Sequence, residues 1–294
     1  MKRIFLFIVT NLAVLALLSV VIFVIEHAFG VRLGGPGLGG LFVFAAVFGF
    51  GGALISLALS KWTAKRAMGV RTIVQPQSDV EVWLVSTVRR LADQAHIGMP
   101  EVGIFDSQEM NAFATGARRN AALVAVSSGL LLGMSRTQAE AVLGHEITHV
   151  ANGDMVTLTL LQGVLNTFVI FLARIIGSFV DRAVFKNDRD DSGIGFFVTT
   201  MVAQLVLGLF ASMIVSWFSR YREFRADRGG ANLSGTGNMI GALEALKRSH
   251  GEPMPDQMQA FGINTGEPSG WLRLFTTHPP IDARIAALQA SPAR

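Results

Sequence analysis

The stretch AEAVLGHEITHVANGD, residues 139–154, decides how the chain is read. It sets His145, Glu146 and His149 inside a sequence that is otherwise largely apolar. Ala139, Val142, Leu143 and Ile147 recur at helical spacing and Ser135 stands where an N-cap belongs, so the stretch predicts a helix over Arg136 to Asn152. On that helix His145 and His149 project from one face about one turn apart, a separation that a single tetrahedral metal ion spans. Glu146 follows the first histidine directly and can take a proton from a nearby water without ligating the metal. HExxH arises by accident in roughly one chain in a hundred of this length, so a third ligand has to decide the matter.

Composition limits the rest. Across 294 residues, 51% are hydrophobic and only 16% charged, which is too apolar for an ordinary soluble domain and places part of the chain in lipid. The absence of cysteine excludes disulfide scaffolds, thiolate nucleophiles and cysteine metal sites, so a metal here must be held by His, Asp and Glu. The sequence pI of about 9.9 is what basic cytoplasmic loops of a membrane protein produce, and we expect no nucleic-acid partner.

Two apolar runs, 4–25 and 38–59, are each long enough to cross a bilayer, and the first lacks the cleavage site of a signal peptide. Between them GVRLGGPGLGG reads as a short external turn, with neither the GK[ST] nor the preceding strand of a phosphate cradle. Lys2 and Arg3 before the first run, and Lys61, Lys65, Arg66 and Arg71 after the second, put both of those ends in the cytoplasm. Ala45, Gly49 and Ala53 repeat every four residues, a pattern that suits close helix contact. Runs 155–179 and 194–218 form a second pair of expected spans, with Arg174 near the far end of the first, in reach of the headgroups. The basic segment SRYREFRADR, residues 219–228, returns the chain to the cytoplasm. The expected organisation is a two-helix anchor (1–60), a first cytoplasmic piece with the HExxH helix (61–153), a transmembrane hairpin (154–219) and a second cytoplasmic piece (220–294).

The segment after the last run offers the third ligand. Glu223 and Asp227 lie four residues apart on one helical face, so Glu223 could ligate while Asp227 bonds the far nitrogen of a ligand histidine. The alternative is a solvated charged turn in which both acids pair with Arg220, Arg222, Arg225 and Arg228. Upstream, NAFATGARRNAALVAVSSGLL (111–131) has the alternation of a hairpin with its turn near Arg118 to Asn120. Residues Asn111, Ala112, Phe113 and Ala114 would then be either a substrate-binding edge strand or an ordinary core strand. His278 precedes Pro279 and Pro280, which open a terminal helix. His250 reads as a loop residue, and 251–270 as a mobile segment near the site.

GHEITHVANGD, YREFRAD, THPPIDARIAAL and NAFATG stand here in the order and context found in the HtpX-type membrane zinc metalloproteases, a group related to the CAAX prenyl proteases, and the chain resembles that family over essentially its whole length. The resemblance implies one zinc per chain on His145, His149 and Glu223, with Glu146 as catalytic base. It implies a mainly α fold with a small β-sheet: about four transmembrane helices and a cytoplasmic, thermolysin-like (gluzincin) protease domain. It also implies degradation of damaged or misassembled membrane proteins in the bacterial inner membrane, with the bilayer as the other partner. His278 would either stabilise an oxyanion or hold the enzyme off as a metal ligand. A homo-oligomer is compatible with this reading.

The ligand positions argue for the same substrate class. Met155 begins a span six residues after His149, about 9 Å along a continuing helix, and Trp217 closes the last span six residues before Glu223. Two rival readings fare worse. A metal-regulated transporter needs ionisable residues at mid-depth, where these spans carry only amides and Arg174 near one end. An idle membrane scaffold with a structural zinc has no use for Glu146.

Overall fold

The computed structural model describes residues 38–185, 193–250 and 270–290, together with Val20, Phe23, Val24 and His27. The expected first span (4–25), apart from Val20, Phe23 and Val24, lies outside the described residues, as do most of the glycine-rich turn and all of 251–269. Along the chain come helix α1 (Leu38–Met68), strand β1 (Arg71–Thr72), helix α2 (Asp79–Gln94), strands β2 (Glu101–Phe105), β3 (Ala112–Thr115) and β4 (Leu123–Ser127), and the short helix α3 (Ser128–Gly133). Then follow α4 (Arg136–Asn152), α5 (Asp154–Ala183), α6 (Ile194–Ser234), α7 (Thr236–His250), a 3₁₀ turn (Gly270–Phe275) and α8 (Ile281–Ala290). The chain is mainly helical with one small mixed sheet. His250 is the last residue of α7 rather than part of a loop, because the polar run KRS extends the solvent face of that helix by one more turn.

One compact unit comprises Met1–Ser56 and Thr157–Val215. Helices α1, α5 and α6 are each long and apolar enough to cross a membrane, and their most apolar 18-residue windows are only 11%, 17% and 0% buried. Helices that are apolar all round yet uncovered by protein are made to face lipid. Ala45 and Gly49 are the buried positions of α1. A Cβ on Gly49 would fall 2.4 Å from Thr167 Oγ1 and 2.6 Å from its backbone nitrogen, so only glycine permits α1 and α5 to approach this closely. Near the far end of α5, the Arg174 guanidinium lies 4.2 Å over the ring of Phe44 on α1, a cation–π contact between the two helices. Asp181 accepts from the backbone N–H groups of Gly193 and Phe196, capping the start of α6 and holding the two ends of the α5–α6 connection together.

The second unit comprises Leu57–Val156 and Ser216–Arg294. Its sheet has the order β1-β2-β4-β3, with β2 and β4 parallel and both outer pairs antiparallel. All five residues of β4 are buried, as a central strand of β-branched and small residues should be. Strand β3 pairs antiparallel with β4, Phe113 opposite Ala125, across a turn that includes Arg119–Ala121, so the expected hairpin forms and β3 is one of the two edge strands, β1 being the other.

Helix α4 starts where Ser135 and Gln138 form a reciprocal capping box. Its buried Leu143 and Ile147 share a core with Leu84, Val88 and Leu91 of α2, Val124 and Val126 of β4, Leu243 of α7 and Leu288 of α8. Each such fully buried aliphatic side chain contributes about 1.5–3 kcal/mol, which makes α4 a rigid platform for what it carries.

Candidate metal centre

Helix α4 presents His145 and His149, both 6% exposed, while α6 presents Glu223 and Asp227, both 1% exposed. The two helices meet closely because the tail of RADRGG has no side chain at the crossing. A Cβ on Gly230 would lie 2.9 Å from the backbone nitrogen of His145, and one on Gly229 would lie 2.2 Å from Thr148 Cγ2. Glycine at these two positions lets Glu223, two turns earlier on α6, reach the histidines.

The donor atoms converge. Nε2 of His145 and Nε2 of His149 are 3.1 Å apart, Glu223 Oε2 is 3.5 Å from the former and Glu223 Oε1 is 3.3 Å from the latter. Ligands about 2.0–2.1 Å from a tetrahedral zinc stand about 3.3–3.4 Å from one another, so the three side chains already hold the spacing a zinc ion requires. His145, His149 and Glu223 are the one group of this kind among the described residues.

Each histidine is backed by a carboxylate. Asp154 Oδ2 lies 2.7 Å from His149 Nδ1. Asp227 Oδ1 lies 2.9 Å from His145 Nδ1, though not in line for a strong hydrogen bond. With a proton on each Nδ1, both Nε2 lone pairs point into the space shared with the Glu223 carboxylate, an arrangement that repels itself unless a cation sits there. The surroundings of the histidines act in the same direction. Burial alone would lower His145, but Asp227 and Glu223 beside it outweigh burial and push it up to about 9. His149 is raised likewise, by Asp154 and Glu223 against burial. The pocket favours positive charge at these nitrogens, and the donor set fits zinc.

The supports of the carboxylates were not visible in the sequence. Helix α4 ends at Gly153, which adopts a left-handed conformation (φ 68°) with its N–H directed to the carbonyls of His149 and Val150. That reversal allows Asp154, the first residue of α5, to turn back onto His149. Arg284 of α8 grips Asp227 through two hydrogen bonds, Nε to Oδ2 at 2.7 Å and Nη2 to Oδ1 at 2.5 Å, and both side chains are buried. Arg222 Nη1 approaches Asp154 Oδ2 to 3.8 Å. GHEITHVANGD ends on Asp154 and THPPIDAR on Arg284, so both lay within quoted motifs; what pointed to them was an acid directly after a glycine helix stop and an arginine on the first turn of a helix.

The other expected residues fall around this centre. Glu146 is half-buried, next to His145 on α4 and turned from the ligand face by one helical step. His278 Nδ1 lies 2.9 Å from Glu223 Oε2, while its side chain is 67% exposed. Ala112, Phe113 and Ala114 lie in β3, and Asn111 directly before it donates its backbone N–H to Ser127 Oγ and accepts from the Ser127 N–H at its carbonyl. The charged-turn alternative for YREFRADR does not hold: Glu223 and Asp227 are buried on a continuous helix and face histidines and Arg284, not the arginines of their own segment.

Comparison with known proteins agrees with this geometry. The family "Peptidase family M48" matches residues 78–291. A protein named "Protease HtpX homolog" from Thiobacillus denitrificans is 61% identical over 290 residues, covering 99% of both chains. The protein named "Protease HtpX" from Alkalilimnicola ehrlichii is 60% identical over 295 residues, covering 98% of each. Among solved structures, Ste24p of S. mikatae shares the fold with a TM-score of 0.63 at 17% identity; the alignment covers 98% of this chain and 66% of that one. The chain therefore belongs to peptidase family M48 and is a membrane zinc metalloprotease of the HtpX type.

Proposed function

We propose that the protein is an endopeptidase that cleaves misfolded or damaged membrane proteins at the cytoplasmic face of the bacterial inner membrane. One zinc per chain is held by His145, His149 and Glu223. When bound, zinc supplies Lewis acidity, making water nucleophilic at neutral pH and polarising the scissile carbonyl.

The side chains do the rest. Glu146 accepts the proton of the attacking water and hands it to the leaving amine. Asp154 and Asp227 keep the protons of the two histidines on Nδ1 and their rings in place. His278, engaged with Glu223 through Nδ1, offers Nε2 to the developing oxyanion. A substrate segment adds as a strand along the outer edge of β3, at 111–114, using main-chain bonds that ignore side-chain identity, which suits a degradative enzyme.

The substrate class and location rest on the spans and on charge. The unit built from α1, α5 and α6 is the membrane anchor, and with the run 4–25 it makes four crossings. The unit of Leu57–Val156 and Ser216–Arg294 is the protease domain. The basic clusters at 61–71 and 220–228 support a cytoplasmic position for that domain and both termini. Helix α6 carries Glu223 five residues beyond the apolar run 194–218, so chains leaving the bilayer would meet the zinc first.

One observation carries the reading: two histidines and a glutamate at zinc spacing, with an unspent carboxylate, Glu146, beside the first ligand. The test uses full-length protein purified metal-free in detergent, then given zinc, with cleavage of a loosely folded membrane protein as the assay. Glu146→Gln should bind about one zinc per chain yet lose orders of magnitude in rate, because proton transfer is removed while coordination survives. Near-normal turnover in that variant would sink the assignment, and an inactive wild type with tightly bound zinc would mean a structural site.

A further inference from the structure

The 3₁₀ turn GWLRLF, Gly270–Phe275, is built against the usual rule for a surface turn. Trp271, Leu272 and Leu274 are 70%, 48% and 42% exposed. They gain nothing in water by standing there.

The turn is fastened to α6 at the end of the apolar run 194–218. Ser216 Oγ donates to the carbonyl of Phe275 at 3.1 Å. Arg220 Nη1 donates to the carbonyls of Arg273 (3.2 Å), Leu274 (3.3 Å) and Thr276 (2.7 Å). Ser216 and Arg220 are one helical turn apart and form one stripe. The next stripe of the same helix carries Trp217 and Tyr221, 62% and 53% exposed.

We propose that this turn is an interfacial membrane anchor, its Trp271, Leu272 and Leu274 side chains seated in the headgroup–acyl boundary of the bilayer that α6 crosses. Three independent features select lipid as the occupant. Trp and Tyr at the end of a span are the residues that favour that boundary; Trp217 and Tyr221 stand at the end of the run on α6, and Trp271 on the turn clamped to it. The exposed side chains of the turn match those of α6 itself, where Leu205 and Phe210 are 66% and 60% exposed. The four carbonyls at the end of the turn, 273–276, each accept a hydrogen bond from Ser216 or Arg220, and that of Arg273 also accepts from Thr276; backbone must be satisfied before it can enter an apolar layer. A turn meant for water has no need of such a clamp. Phe275 precedes His278 by three residues, so the anchor also holds the residue that contacts Glu223 against the lipid boundary.

The proposal rests on reading 194–218 as a span, and the experiment separates the two. The chain has no cysteine, so single-cysteine variants of the full protein can carry a nitroxide label without background. Trp271→Cys, Leu272→Cys, Phe210→Cys and the exposed polar position Asp93→Cys are reconstituted in nanodiscs of phosphatidylethanolamine and phosphatidylglycerol. Collision with oxygen, which concentrates in lipid, is compared with collision with a neutral nickel chelate, which stays in water. The ratio at positions 271 and 272 should exceed that at position 93 by roughly threefold or more, and approach but not reach that at position 210, as for a side chain in the boundary layer. Ratios at 271 and 272 equal to that at 93, with a lipid-like value at 210, overturn the anchor and leave the span intact. A water-like value at 210 removes the span and the anchor with it. Spin–spin broadening at 272 with a water-like ratio means that a second copy covers the face, and low collision with both probes means that protein does; either overturns the proposal.

Discussion

Asp227→Asn and Asp154→Asn should weaken zinc binding alike but differ in what they do to the fold. Each carboxylate sits within 2.9 Å of the Nδ1 of a ligand histidine, and losing such a partner lowers metal affinity by about 10 to 100-fold, or about 1.4–2.7 kcal/mol. Their other neighbours differ. Asp154 has Arg222 at 3.8 Å, too far for a hydrogen bond, so its neutralisation should cost the metal-free fold about 1 kcal/mol or less. Asp227 is locked to Arg284 by two short hydrogen bonds with both groups buried. Removing one partner of a buried pair costs about 3–5 kcal/mol, because the other charge stays in place without compensation, and Asn retains one acceptor, which puts the expectation near 3 kcal/mol.

The measurements are zinc titration against a competing chelator and thermal unfolding of the metal-free protein in detergent. Both variants should show the affinity loss; only Asp227→Asn should also melt markedly earlier. Asp227→Asn combined with Arg284→Met should recover most of that stability, since removing both charges is far cheaper than removing one, but should recover none of the zinc affinity. A double variant as unstable as the single one refutes the buried-pair account, and an Asp154→Asn protein with wild-type zinc affinity refutes the role given to Asp154.

Other outcomes follow from the same centre. Glu223→Ala should abolish zinc retention and cleavage together, since two histidines alone leave a tetrahedral ion under-coordinated; retention of zinc by that variant would put the third ligand elsewhere. His278→Ala should leave the fold intact and lower kcat at saturating zinc by about 10²–10³-fold if its Nε2 meets the oxyanion, whereas a rise in activity would make it an inhibitory ligand. Topology reporters fused after Arg71 and after Arg294 should both read cytoplasmic, and an external carboxyl terminus would mean that one of the later runs does not span.

How much of this was legible in the sequence follows from how far apart the interacting residues are. His145 and His149 were readable because both sit on one helix, where spacing alone sets geometry. The hairpin of β3 and β4 was readable for the same reason, being local alternation around a turn. Spacing could not choose between Glu223 and Asp227, since both project from one face of α6. The choice is made by Arg284, 57 residues beyond Asp227, which takes that carboxylate for itself and leaves only one oxygen edge toward His145. Asp154 was close in sequence and still hidden, because an α-helical continuation through Gly153 would carry it away from His149. The contact of Arg174 with Phe44 was hidden for a similar reason, since the ring comes from another helix.

These contacts share a consequence for how the site is held. Asp154, which fixes one ligand histidine, is the first residue of a candidate span, and Glu223 and Asp227 lie on the helix that continues from another. The chain therefore does not hang a finished protease on an anchor; two of the three elements that complete the metal centre are themselves the ends of membrane helices. Helix α4 alone supplies two nitrogens; the carboxylate that completes the ligand set comes from α6, and the acids that fix the two rings come from α5 and α6. A fragment lacking those helices would keep the HExxH sequence and lose the centre.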